Sequence, residues 1–267
     1  MLNEISLDTL CAALSYSMGF EKPRMANEPN PKIVNYIDSV LGGKKVDRLL
    51  MYNPDAVAQW IYEKYPALLK EVRAEKGLEV DFRTVMPSVT PVCFGTMYTG
   101  AQPEIHGIRK YEKPVIKIDT FFDAALREGK KIALLAQSEM SMAKIYLERN
   151  MDYFIYPTVE ETNAKACELI AKDEHDIIVV YNVNYDATMH KFGPESLEAL
   201  SELRVDSHVF GILVNTVKEH WKNHDTLVGF AMDHGCHEID GGSGSHGLDM
   251  EEDLNIRHVY KVYPKSN

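Results

Sequence analysis

A chain of 267 residues with 45% hydrophobic and 26% charged content has the size and balance of one large globular α/β domain, not of a disordered or fibrous polymer. Its 29 basic residues against 40 acidic ones leave a formal net charge of -11, which argues against a nucleic-acid polymer or a membrane surface as partner. Cys11, Cys93, Cys167 and Cys236 show no CxxC spacing, no apolar run reaches transmembrane length, and no signal-like core follows the acidic start, so a cytoplasmic protein without disulfides or a cysteine-based zinc site is expected.

In chain order, the pattern predicts a helix over 7–17, a Pro/Asn-rich loop over 23–31, and a second helix over 33–41 stopped by Gly42-Gly43. Residues 1–45 therefore read as a helical covering segment, and 46–267 as a single α/β catalytic domain. From residue 46 short apolar runs recur between amphipathic helical patterns: 46–52, 131–136, 177–183 and 227–232. Such runs mark buried parallel strands in βαβ units. Ligands of open parallel sheets bind beyond the carboxyl ends of the strands. The residues at those ends are Asn53-Pro54-Asp55, Gln137-Ser138, Asn184-Tyr185-Asp186 and Asp233-His234-Gly235.

A further short strand is expected over 82–85, leading into Met86-Pro87-Ser88-Val89-Thr90-Pro91. Pro87 favours an extended approach, Thr90 occupies an N-cap position, Pro91 the first helical position, and Gly100 the left-handed stop. A hydroxyl at the positive end of a helix suits an anionic group, although an ordinary cap has the same local pattern. The other strand ends shift that balance. Asp186 and His190 stand four apart on one face of a turn, Asp233 and His234 are adjacent, Asp55 adds a carboxylate, and His246 lies in a glycine-rich loop. Mixed His/Asp sets suit Zn²⁺ or another borderline divalent cation.

With these residues in view, Met86-Pro87-Ser88-Val89-Thr90, continued by Thr99-Gly100 and Pro103-Glu104-Ile105-His106-Gly107-Ile108, resembles the nucleophile segment of the type I phosphodiesterases/nucleotide pyrophosphatases of the alkaline phosphatase superfamily. It is also similar to that of phosphonoacetate hydrolase in the same group. Asp186-Ala187-Thr188-Met189-His190-Lys191-Phe192-Gly193-Pro194 resembles the family's Asp-x-x-x-His-x-x-Gly-Pro element, Asp233-His234-Gly235 its Asp-His-Gly, and Ser245-His246-Gly247 its late metal-binding histidine. The four motifs occur in family order over roughly residues 46–260.

The resemblance implies a three-layer α/β/α sandwich with a mostly parallel sheet, an alkaline-phosphatase-like core with a reduced cap. It implies two divalent metal ions, zinc with manganese as the alternative. Asp186, His190 and His246 would hold one, and Asp55, Asp233, His234 and the Thr90 hydroxyl the other. Where the family has Asp-Gly after the first strand, this chain has Asn53-Pro54-Asp55-Ala56, so Asn53 competes with Asp55. His106 is read as structural and His237 as outer or exposed; Cys93 and Cys236 are read as packing residues, and the GxGxxG-like run at 242–247 as no dinucleotide site. A role taken by an asparagine in many relatives, binding a phosphoryl oxygen, has no occupant at Arg109-Lys110.

The function implied is hydrolysis of a small phosphate ester, a phosphodiester or nucleotide pyrophosphate, through a phospho-threonine on Thr90. A phosphomonoesterase, phosphonate hydrolase or phosphotransferase would use the same core; a non-catalytic metal- or ligand-binding protein that kept the fold is the competing class. The short stretch between His234 and His246 leaves substrate selection to residues 1–45, to 109–165, or to a partner subunit.

Overall fold

The apolar runs at 49–52 and 177–181 lack polar alternation because both faces of their strands are covered. The computed structural model describes residues 1–266. Through the first half of the chain come β1 (Ile5–Ser6), α1 (Thr9–Met18), α2 (Pro31–Leu41), β2 (Arg48–Pro54), α3 (Gln59–Lys64), α4 (Lys70–Ala74), β3 (Leu78–Arg83), α5 (Thr90–Thr99), α6 (Pro103–His106), α7 (Phe121–Arg127) and β4 (Ile132–Gln137). The second half adds α8 (Met142–Ile145), β5 (Asp152–Tyr156), α9 (Val159–Lys172), β6 (Ile177–Asn182), α10 (Asn184–Phe192), α11 (Leu197–His220), β7 (Thr226–Phe230), β8 (His237–Ile239), β9 (Ser243–Ser245), α12 (Glu251–Leu254) and β10 (Asn255–Tyr263).

Eight strands form one sheet in the order β1-β3-β10-β7-β2-β6-β4-β5, parallel except where β10 runs antiparallel between β3 and β7. Strands β8 and β9 make a separate antiparallel hairpin. Adjacent residues of β2 show the layering, because a strand points alternate side chains to opposite faces. Tyr52 reaches α11, where its hydroxyl donates to Asp206 Oδ1 at 2.8 Å and its ring meets Phe210. Asn53 faces α5, accepting a 2.7 Å hydrogen bond from the Tyr98 hydroxyl. Helices α4, α9 and α10 pack with α11 on the first side, and α1, α7 and α8 pack with α5 on the second. The result is a three-layer α/β/α sandwich. None of the described helices is long and apolar enough to cross a membrane.

The expected strands at 46–52, 131–136, 177–183 and 227–232 are present within a few residues at each end; the one expected over 82–85 begins earlier, at Leu78. Three strands of the main sheet lay outside that reading, as did the β8–β9 hairpin. Residues 1–45 supply β1 to the sheet, paired parallel with β3, besides the two expected helices. Residues 153–156 form most of the edge strand β5. The third, β10, mixes polar and apolar positions, and its antiparallel place is set by neighbours far away in sequence.

Under α11 lies a buried polar chain. Asn182 Nδ2 donates to the Tyr52 hydroxyl at 2.8 Å, while Asp206 Oδ2 has no partner. Burial pushes the Asp206 carboxyl up to about 8 from its ordinary 3.8. Between those values the native chain keeps a proton that the unfolded chain has released, so this group's contribution to stability falls as pH rises from about 4 to 8. Asp206→Asn removes the titration. Denaturant unfolding at pH 5 and pH 8 is expected to show a smaller loss of stability in the variant than in the wild type; an equal loss would show that Asp206 does not carry it.

Candidate active site

Strands β2, β6 and β7 are neighbours in parallel register, with Tyr52 opposite Val180 on one side and Phe230 on the other. Their carboxyl ends therefore deliver three loops to one edge. Asp55 follows β2 directly, its N–H bonded to Asn182 O at 2.9 Å. The next residue, Ala56, turns the chain with φ 60° and donates its N–H to Asp233 Oδ1 at 3.2 Å. This turn pins the acids from two strand ends against each other. Thr84, just after β3, holds the Asp233 carbonyl from the other side at 2.7 Å. After β6, Asn182 Oδ1 accepts the Asn184 N–H at 3.0 Å at the start of α10, whose first turn carries Asp186 and whose last carries His190.

The outcome is two adjoining clusters. Asp55, Asp233 and His234 are fully buried; Asp186, His190 and His246 form a more open set beside them. The imidazoles of His234 and His246 lie 4.1 Å apart between centroids, so the clusters share a wall. Thr90 sits at that wall, its Oγ1 3.4 Å from Asp55 Oδ2 and 3.3 Å from His234 Nε2. Here the local expectation needs correcting: Val89 is the N-cap and Thr90 the first helical residue, with no side-chain cap bond. Its hydroxyl is turned away from capping and toward the clusters.

All three histidines are oriented in the same way. Nδ1 of His190 donates to Gly244 O, that of His246 to Ser88 O and that of His234 to Gly235 O, each at 2.9 Å. These bonds place the ring proton on Nδ1 and turn the Nε2 lone pairs inward. There they meet carboxylate oxygens with no hydrogen-bond partner: Asp55 Oδ1, Asp186 Oδ1 and Asp233 Oδ2. His234 Nε2 is 3.3 Å from both Asp55 Oδ1 and Asp233 Oδ2, and Asp186 Oδ1 is 3.3 Å from His190 Nε2 and 3.4 Å from His246 Nε2. Acceptor faces acceptor throughout, which is unfavourable unless cations or protons lie between.

The protonation balance of the bare protein shows the same conflict. Burial, reinforced by the neighbouring acids, pushes the Asp55 carboxyl well up; burial raises Asp233, and burial lowers His234 to about 3. In the open set a proton fills the gap in the metal-free protein: its hydrogen bonding to Asp186 raises His190 to about 9, while Asp186 is held low by both histidines against its own burial. A mixed Asp/His donor set of this kind fits a divalent cation in each cluster.

The competing residues go elsewhere. Asn53 spends its amide on Ala231 O at 2.6 Å and on Tyr98, so it lies inside the sandwich and Asp55 alone reaches the cluster. His106 is buried against Thr96 Oγ1 at 3.1 Å, and burial lowers it to about 4. His237 is buried, not exposed, with Nδ1 on Asp253 Oδ1 at 2.7 Å. Cys93 and Cys236 are buried and outside both clusters. Arg109 and Lys110 are exposed, bonded to Glu104 O and paired with Glu112. One residue escaped the sequence reading altogether: Tyr181, taken as an apolar strand position, donates its hydroxyl to Asp55 Oδ2. Its strand register opposite Asn53 puts it on the face that Asp55 shares, a signal that exists only once β2 and β6 are paired.

The α/β/α sandwich with paired Asp/His clusters at the strand ends and a hydroxyl beside them is the arrangement that the alkaline-phosphatase-like resemblance implies. No protein-family model matches the chain. It is similar to the venom phosphodiesterase of Macrovipera lebetinus, 23% identical in an alignment of 218 positions that covers 72% of this chain and 26% of that protein. Among solved structures it resembles murine ectonucleotide pyrophosphatase/phosphodiesterase 5, with TM-score 0.59 and 20% identity over 73% of this chain and 58% of that one. An inactive threonine-to-alanine variant of the murine protein in complex with AMP gives TM-score 0.60 and 19% identity, over 73% of this chain and 59% of that one. The human protein gives TM-score 0.58 and 17% identity over 72% of this chain and 58% of that one. The chain thus spans about a quarter of the venom enzyme and under three-fifths of these structures. With its four motifs in order and this fold, it resembles the nucleotide pyrophosphatases/phosphodiesterases and shares their alkaline-phosphatase-like fold.

Proposed function

We propose that the protein is a two-metal hydrolase of small phosphate esters, a phosphodiesterase or nucleotide pyrophosphatase with Thr90 as nucleophile. The observation that carries this reading is the Thr90 hydroxyl set between Asp55 and His234 while three buried carboxylate oxygens around it lack partners. Asp55, Asp233, His234 and Thr90 would hold one divalent cation, and Asp186, His190 and His246 the other. Such ions, when bound, supply positive charge for the phosphoryl oxygens and lower the pKa of an attacking hydroxyl or water.

In the step derived for the chain's own residues, Thr90 Oγ1 attacks phosphorus. The Oγ1–P bond forms as the bond to the leaving oxygen breaks, and the hydroxyl proton passes to Asp55 Oδ2, the carboxylate oxygen it faces at 3.4 Å. Water then cleaves the phospho-threonine and restores the hydroxyl. The positive end of α5, ten residues long, faces the group being transferred. The inactive threonine variant and the AMP complex among its structural relatives support both the nucleophile and a nucleotide-derived substrate. Phosphomonoesterase, phosphonate hydrolase and phosphotransferase activity use the same clusters. The short hairpin β8–β9, all that lies between His234 and His246, keeps that second reading open because it adds no large cap to select a diester. All four cysteines are free, which supports a reducing, cytoplasmic setting.

Metal analysis of purified protein, with turnover of an aryl phosphodiester and an aryl phosphomonoester, tests the reading. About two equivalents of zinc or manganese, diester turnover, and its loss on chelation are expected. Monoester preference would favour the second reading; protein that binds no added Zn²⁺ or Mn²⁺ and turns over neither ester would refute both.

A further inference from the structure

Outside the two clusters, one side chain ties their separate loops together. Asp253, in α12, is fully buried and uses every acceptor it has. Its Oδ1 accepts from His237 Nδ1 at 2.7 Å, its Oδ2 from the Leu248 N–H at 2.8 Å, and its carbonyl from the Gly235 N–H at 2.8 Å. Gly235 directly follows Asp233-His234, His237 begins the hairpin beyond it, and Leu248 lies two residues past His246. The loop bearing the buried cluster and the loop bearing the last histidine of the open cluster are thus fastened to the same carboxylate. None of these bonds goes to a cluster residue itself; each holds a residue one to three positions away from one.

We propose that Asp253 is a positioning residue that couples the two metal sites, holding His234 and His246 in register although it touches neither. The inference rests on the two-metal reading of the clusters. A buried carboxylate with two N–H donors is well suited to this, because losing it leaves the buried His237 imidazole N–H and the Leu248 backbone N–H unpaired at the same time. The loops would then relax independently, and ligand sets that need positions held to fractions of an ångström would loosen together.

The test is Mn²⁺ titration of the metal-free 267-residue chain by calorimetry, with the visible spectrum of the Co²⁺-loaded protein as a second readout. Asp253→Ala is expected to weaken both equivalents by about 10- to 100-fold and to alter the Co²⁺ bands. Asp253→Asn is expected to recover most of the affinity, since its amide still accepts from Leu248 and a tautomer change in His237 lets that ring accept from the amide nitrogen. Wild-type protein with two equivalents, alongside an Asp253→Ala variant that keeps both unchanged or loosens only one, would overturn the coupling and leave the two-metal reading standing. Wild-type protein that takes up no Mn²⁺ would overturn both. If Asp253→Ala does not fold, His237→Leu removes one leg of the clamp and is expected to weaken the Asp55/Asp233/His234 equivalent the more; unchanged binding there would count against the proposal.

Discussion

Thr90→Ala is expected to lower turnover of the aryl diester at least ~1,000-fold while the protein stays folded. The size of the effect follows from where the hydroxyl sits. It is buried, unused as a helix cap, and 3.3–3.4 Å from the two polar atoms it faces, His234 Nε2 and Asp55 Oδ2. At those lengths it contributes little to stability, so the change in unfolding free energy should stay within ~1 kcal/mol. Pro91 and the Val89 cap, which set the start of α5, remain. Metal content should persist as well, because the imidazole and carboxylate donors are intact. Initial rates, metal analysis and thermal unfolding on one preparation separate these outcomes. Activity within about tenfold of wild type would mean that water attacks directly and that Thr90 is a bystander.

The second large effect is structural and concerns the glycine of the Asp-His-Gly element. A Cβ added to Gly235 would stand 2.0 Å from the Glu252 carbonyl oxygen and 3.0 Å from the Ala58 Cβ. The first of these is backbone and cannot rotate away. The turn after β7 is pressed onto α12 so closely that only a hydrogen fits, and the 2.8 Å bond from the Gly235 N–H to Asp253 O depends on that approach. Overpacking usually costs about 1–3 kcal/mol; overlap with main chain at this distance should cost ~3 kcal/mol or more. Gly235→Ala is therefore expected to shift the denaturant midpoint strongly and to reduce metal uptake, since His234 and the Asp253 clamp move with the turn. Gly247 makes a useful contrast. It is needed for its φ of +107°, yet a Cβ there would meet only Val89 Cγ1 at 3.4 Å, so its replacement should act through backbone strain and not through collision. A Gly235→Ala protein with wild-type midpoint and metal content would show that α12 yields freely.

Much of the site was legible before the chain was folded, for a local reason. Asp186 and His190 are spaced by one helical turn, Asp233 and His234 are adjacent, and each pair comes shortly after a mainly apolar run of the length a covered strand has. Parallel strands then bring such ends to one edge without further information. Asp55 against Asn53 was beyond local reading, because both follow the same run within two residues. The choice is made by what the interior offers: Asn53 finds the Tyr98 hydroxyl and Ala231 O inside the sandwich, whereas Asp55 emerges where the ladder ends. His237 could not be placed either, since its partner Asp253 lies on a helix with no periodic link to it.

By itself, then, the sequence determined the α/β class, the four principal strands, the clustering of acids and histidines at their ends, and Thr90 as the hydroxyl at the mouth of a helix. These are encoded in periodicity and spacing, which act over a few residues. Tertiary structure decided the rest: the antiparallel insertion of β10, Tyr181 behind Asp55, the inward turn of three imidazoles by backbone carbonyls, and the fastening of two loops to Asp253. Each of these depends on which distant segments meet, and that is settled by packing the whole core.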